Sequence, residues 1–232
     1  MFRPRAVLAV VVSYTMFLMP VSGSTPAAIG TVTSATSAHV GAAAASTGST
    51  VFGGDHLSTE KLGNVQIRTG AARFMLSSSS SASMGPAEGT PAARLLSGTA
   101  IFSTANAKAF VLNASTAEIR PKDDQPTVAQ VTYVSEKELR VRSTRGSLLI
   151  TVDGETKTVP EATAYRVILD PDEYLAAHPE AEASQGPRGV GSRNGGPPLK
   201  AGRSHFLLIA VIITSVATGV VLYEALQSPD KP

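Results

Sequence analysis

The chain of 232 residues contains no cysteine. That excludes disulfides, thiolate metal sites, cysteine nucleophiles and a lipid-modified N-terminal cysteine. Histidine is scarce, and His39, His56, His178 and His205 sit in separate segments with no pair at ligand spacing, so no metal is expected. Aromatic residues make up only 5% of the chain, too few to supply stacking platforms for bases. Net charge is a modest +2, and its excess gathers at Arg188, Arg193, Lys200 and Arg203 inside a Gly/Pro-rich stretch. Cations in a linker do not make a patterned surface, so nucleic acid is not an expected partner. Gly186 to Gly196 lacks the Gly-Lys-Ser/Thr of a phosphate loop and any helix after it, so no nucleotide cofactor is expected.

Long apolar runs are present at both ends. Phe206 to Leu226 reads FLLIAVIITSVATGVVLYEAL, with no charge before Glu224. A bilayer core about 30 Å thick needs roughly 20 apolar residues at helical rise, so a transmembrane helix is predicted over 206–226, with a short tail at 227–232. At the other end, the basic head Met1 to Arg5 precedes an apolar run from Ala6 to Val21, followed by small residues. The order of basic, apolar and small predicts a signal peptide or an N-terminal anchor over 1–28. Either one sends the middle of the chain across a membrane.

Residues 29–50 are mostly Ala, Ser, Thr and Gly, with few large side chains to offset the entropy of ordering, and are expected to form a flexible tether. From 51 to 169 the pattern alternates. Val65 and Ile67, Phe74 and Leu76, Phe110 and Leu112, Val131 and Tyr133, Leu139 and Val141, Leu148 to Val152, and Tyr165 to Leu169 all repeat at period two. Turn signals separate them at Gly53-Gly54-Asp55, Thr69-Gly70, Asn113, Pro121 to Asp124, Arg145-Gly146, Asp153-Gly154 and Pro160. Asp153-Gly154 suits a type I′ hairpin, whose two central residues take φ > 0. Many short strands without helical periodicity predict an all-β fold, a sandwich, a barrel or a short β-solenoid. Residues 170–205 should hold a short helix, capped by Asp170 with Pro171 at its first position, and then a basic Gly/Pro-rich linker. The serine run Ser77 to Ser81 fits a loop or a strand edge equally.

Four stretches carry a family resemblance. They are VFGGDHLST at Val51 to Thr59, GAARFMLSSSSSASM at Gly70 to Met84, ARLLSGTAIFS at Ala93 to Ser103, and RVRSTRGSLLITVDG at Arg140 to Gly154. In this order they resemble the FecR-type β domain over about half of the chain. The resemblance implies an all-β, non-enzymatic, extracytoplasmic module of the bacterial envelope, of a family whose members pass an envelope signal to a sigma factor. Only Met1 to Arg5 precede the first apolar run, too little for an anti-sigma segment, so the fold is carried over and the sigma-regulator role is not. The expected location is the bacterial inner membrane with the β domain outside the cytoplasm. The basic linker opposes that orientation, but long segments translocate largely regardless of charge.

Asp55, His56 and Ser58 supply the residue types of a hydrolase triad. In a strand, Asp55 and His56 point to opposite faces, so the carboxylate cannot orient the imidazole, and a turn role for Asp55 is preferred. Asn113-Ala114-Ser115 matches a glycosylation sequon, and Ser215-xxx-Gly219 a weak helix-pairing face. No catalytic, cofactor-binding or metal residue is assigned, and no binding residue can be named. The expected function is a membrane-anchored, non-catalytic β module that binds an envelope protein or polymer, with FecR-type envelope signalling as the alternative.

Overall fold

The computed structural model describes residues 26–178 and 204–211. In chain order its strands are β1 (Ala28–Val40), β2 (Ala43–Ala44), β3 (Thr50–Phe52), β4 (His56–Thr69), β5 (Ala72–Leu76), β6 (Ser81–Ala87), β7 (Thr90–Thr104), β8 (Val111–Ala114), β9 (Ala117–Pro121), β10 (Thr127–Ser135), β11 (Glu138–Arg145), β12 (Leu148–Val152), β13 (Glu155–Val159), β14 (Ala164–Ile168) and β15 (Leu207–Ala210), with helix α1 (Pro171–Ala177) between β14 and β15. All strands join one hydrogen-bonded sheet, through which β13-β12-β9-β8-β7-β10-β11-β14-β15 forms a path of neighbours. Pairing is antiparallel except between β7 and β8. A large antiparallel sheet, rather than the parallel coil stacking of a β-solenoid, is what these alternating runs build.

Two long strands organise it. β4 and β7 flank both β5 and β6, which lie end to end between them. The step between β5 and β6 is Ser77 to Ser80, and Gly98 on β7 lies beside it. Gly98 has φ +79°, and a Cβ there would sit 2.3 Å from Ser80 Oγ and 2.6 Å from Ser80 Cα, so the position admits only glycine. Thr99 N donates to Ser80 Oγ at 2.8 Å, and Ser80 N donates to Thr59 Oγ1 at 2.9 Å. Ser77 to Ser80 thus form a loop whose buried member, Ser80, is fully bonded beside the β1–β4 register shift that bends the sheet into a corner, and Ser81 opens β6.

The period-two residues meet in one core. Phe74, Phe102 and Phe110 pack at its centre, the Phe110 ring centroid lying 5.4 Å from that of Phe74 and 5.8 Å from that of Phe102. Both arms of the corner contribute, from Val32, Leu57 and Val65 to Ile119, Leu139 and Ile150. Asp153 (φ +49°) and Gly154 (φ +82°) turn β12 into β13 as their pairing predicted. The Asn113 turn signal is displaced, since Asn113 lies in β8 and the turn falls at Ser115-Thr116. Asp170 caps α1, its Oδ1 accepting from Glu173 N at 3.2 Å.

Three expectations change. Residues 29–50 are not a tether: β1 runs along β4 from Thr31 opposite Arg68 to Val40 opposite Leu57. Its small residues cannot make a core alone, but pairing satisfies their backbone, and Val32 and Ala38 are buried against the other strands. The sheet therefore includes Ala28–Val40 and is not confined to the residues from Val51 onward. Phe206 does not start a helix; Phe206 is buried and Leu207–Ala210 pair with β14. A short apolar run is ambiguous between strand and helix, and an open edge on β14 decided this one. Ser204 and His205 are not linker either, because both bond Glu155 on β13. Among the described residues no helix is long and apolar enough to cross a membrane. The signal or anchor segment up to residue 25, the linker at 179–203 and the rest of the candidate span and tail lie outside the described residues.

Candidate binding face and corner cleft

At the corner, β1 and β4 fall out of register. Thr36 opposes Asn64 and Ala38 opposes Thr59, so Glu60 to Gly63 are set against the single residue Ser37. Such a bulge bends the strand and re-aims its side chains. Gly63 is its pivot: a Cβ would lie 2.2 Å from Ser37 O, closer than any side chain permits. Leu62 is consequently thrown outward and is 88% exposed, the most exposed large apolar side chain among the described residues. Beside it opens a cleft of about 550 Å³ lined by Ser34, Lys61, Leu62, Gly63, Asn64, Gln66, Met75, Ser77 and Ser78. One ammonium, two amides, hydroxyls and a thioether can hold a polar or anionic group. No carboxylate or imidazole in this lining is available as a general acid or base.

The cleft borders an outward face whose residues are fixed by register. One row reads Thr31, Arg68, Arg73, Ser103, Val128 and Arg145 across β1, β4, β5, β7, β10 and β11. The next reads Ser34, Gln66, Met75, Ile101, Gln130 and Arg142, of which Ile101 is buried beneath its neighbours. A third carries Thr99, Thr132, Arg140 and Arg166, where Arg166 reaches Glu138 by two bonds of 2.7 and 2.8 Å. That fork holds the Glu138 carboxyl below its ordinary range, chiefly through the hydrogen bonds from Arg166, with burial acting the other way.

The residues weighed for chemistry fall elsewhere. Asp55 lies in the β3–β4 turn, and its Oδ2 accepts from Phe52 N at 2.8 Å. His56 is exposed at the start of β4, opposite Ser83, and Ser58 lies opposite Ser81. Register also sets His39 opposite Ser58, one diagonal from His56, a juxtaposition that the sequence separation hid. Among the described residues no group of three His, Asp or Glu could hold a metal ion. Asn113 stands in β8 between Arg94 and Glu118. His178 stacks on Tyr174 with centroids 4.4 Å apart, and His205 donates its backbone N–H to Glu155. Ser215 and Gly219 lie outside the described residues.

Sequence reasoning passed over Lys61, Leu62 and Gly63. Their signal is a break in alternation: between Leu57 and Val65 the chain inserts Glu60-Lys61-Leu62-Gly63, with a glycine inside a strand pattern.

No family model and no curated protein matches the chain. Two crystal structures, at 1.65 and 2.50 Å resolution, of a "putative anti-sigma factor from Parabacteroides distasonis ATCC 8503" are similar, each at 11% identity and a TM-score of 0.41. Each match covers 49% of this chain and 54% of that one, so the chain spans about half the length of that protein. A likeness at this level carries no inference about activity.

Proposed function

We propose that this chain is a non-catalytic β module of the bacterial envelope that binds another envelope protein or polymer through its corner cleft. The observation that carries the reading is the bulge that lifts Leu62 to 88% exposure beside a polar cleft. An apolar anchor next to hydrogen-bonding groups is the anatomy of a contact patch. The FecR-type resemblance belongs to the same reading: its four stretches fall on the β3–β4 turn, the β5–β6 step, β7 and the β11–β12 connection. The flanking apolar segments would hold the module at the inner membrane, outside the cytoplasm.

A photoreactive residue at Leu62 of the full chain, in its native envelope, should give one dominant adduct, and the same residue at Thr158 on β13 should not. Equal labelling from both positions, or none from Leu62, overturns the cleft as the contact site.

A second reading, transmission of ligand state along the C-terminal segment, is favoured by β15. The first part of the apolar run is itself a strand of the sheet, so a change in the sheet's edge reaches the segment directly.

A further inference from the structure

We propose that the domain stands on an anionic lipid bilayer by the end of its sheet that carries Arg68, Arg73, Arg142 and Arg145. The inference rests on the envelope reading above for the presence of a membrane, and it adds which surface faces that membrane and by what chemistry.

Charge is the first observation. Arg68 and Arg73 are cross-strand partners, which sets two basic residues side by side on neighbouring strands. Arg142 and Arg145 lie three strands away, about 14 Å at the usual 4.7–4.9 Å per strand. Lys108 and Lys122 join them from the loops that leave this end of β7 and β9. The carboxylates here are Asp123, Asp124 and Glu161, with Asp55 in the turn beside Ala28, so the six cations still exceed them. At the other end of β11 and β14 the balance reverses, with Asp170 and Glu173 paired to Lys137 and with Glu136 and Asp172 adjacent to them in sequence. Along β11 and β14 the charge runs from positive at one end to negative at the other.

The paths of the chain are the second observation. β15 runs from Leu207, opposite Ile168, towards Val211, whose N–H bonds Ala164 O beside Arg142. The sequence there continues into the uncharged run to Tyr223. At the start of the domain, Ala28 precedes Thr31, the partner of Arg68, and the apolar run Ala6 to Val21 lies upstream. Both apolar segments are therefore joined to the arginine end of the sheet, and neither to the carboxylate end.

The third observation selects the anion. The cations spread over strands and loops in two dimensions, as a layer of headgroups does, and Tyr133 and Tyr165 pack against the core instead of offering a stacking surface.

The absence of cysteine makes a single-label test clean. The full chain is placed in lipid nanodiscs with a fluorophore on Ala105→Cys, at the arginine end, or on Glu136→Cys, at the other, and a headgroup quencher in the lipid. With about a third phosphatidylglycerol, the Ala105 label should be quenched and the Glu136 label should not. The contrast should vanish in pure phosphatidylcholine, at high salt, and in the variant Arg68→Gln/Arg73→Gln/Arg142→Gln/Arg145→Gln. The corresponding four lysine replacements should keep it, which separates charge from folding. Equal quenching of Ala105 in neutral discs, or quenching of Glu136, overturns the proposal. Should the chain fail to enter discs, the membrane-held reading falls alone, and the arginine end is tested with added vesicles. Partitioning onto phosphatidylglycerol vesicles should then weaken about five-fold per arginine neutralised, following about 1 kcal/mol for each basic residue at an anionic leaflet. Equal binding to phosphatidylcholine vesicles, or stronger capture by inorganic polyphosphate, overturns it.

Discussion

Asp55 shows how one side chain separates a local role from a chemical one. Gly53 and Gly54 free the backbone, Gly54 at φ +96°, and the Asp55 carboxylate closes the turn on Phe52 N. Asp55→Ala should lower stability by about 1 kcal/mol, as loss of a capping carboxylate does, read from a urea unfolding curve. Cleft binding at Leu62 should be unaffected, because Asp55 does not line the cleft. A binding loss without a stability loss would restore a functional role to Asp55.

At the scale of elements, β15 is held by more than its ladder. Glu155 accepts from Ser204 Oγ at 2.9 Å and from His205 N at 2.6 Å. Its carboxyl is held below the ordinary range, first by the His205 N–H. Lys157 bonds Phe206 O and sits 4.3 Å over the Phe206 ring. The segment thus straps β13 to β14 and drives a fully buried Phe206 into the core. Phe206→Ala should cost about 3–5 kcal/mol of domain stability, the usual loss for a buried phenylalanine. A span helix beginning at Phe206 would instead leave the β domain's unfolding midpoint unchanged, so the measurement decides between strand and helix at this residue.

For the whole molecule, hydrogen-bonded carboxylates set the acid limit. Glu138, Glu155 and Asp170 all have carboxyls lowered by hydrogen bonds, from Arg166, from His205 and from Glu173 N respectively. A lowered carboxyl stabilises the fold fully above its unfolded value, about 4, and that contribution is lost as pH falls through the lower folded value. Lys137 is raised, first by Glu173 and then Asp170, so its contribution is complete below about 10.4 and fades as pH climbs through the higher folded value. Stability should therefore be flat from about pH 6 to 9 and fall below about pH 4, measured as the urea midpoint. Glu138→Gln should lower the neutral plateau by about 1 kcal/mol, given the two-point geometry with Arg166, and make the acid slope shallower. An unchanged acid slope would show that the fork contributes nothing.

The sequence alone determined the strands whose two faces differ chemically. Phe74 with Leu76, Leu139 with Val141, and the Asp153-Gly154 turn needed no partner to be read, because period two and φ > 0 are local properties. The short helix after Asp170 was legible for the same reason. Tertiary structure alone decided β1, whose Ala, Ser and Thr residues become a strand only because β4 supplies hydrogen bonds along its length. It decided β15, where an open sheet edge claims residues whose apolar character fits strand or helix equally. It also decided the cleft and the arginine end, since the register that brings Lys61 to Ser77, or Arg68 to Arg73, is a property of pairing between strands and is written in no single strand.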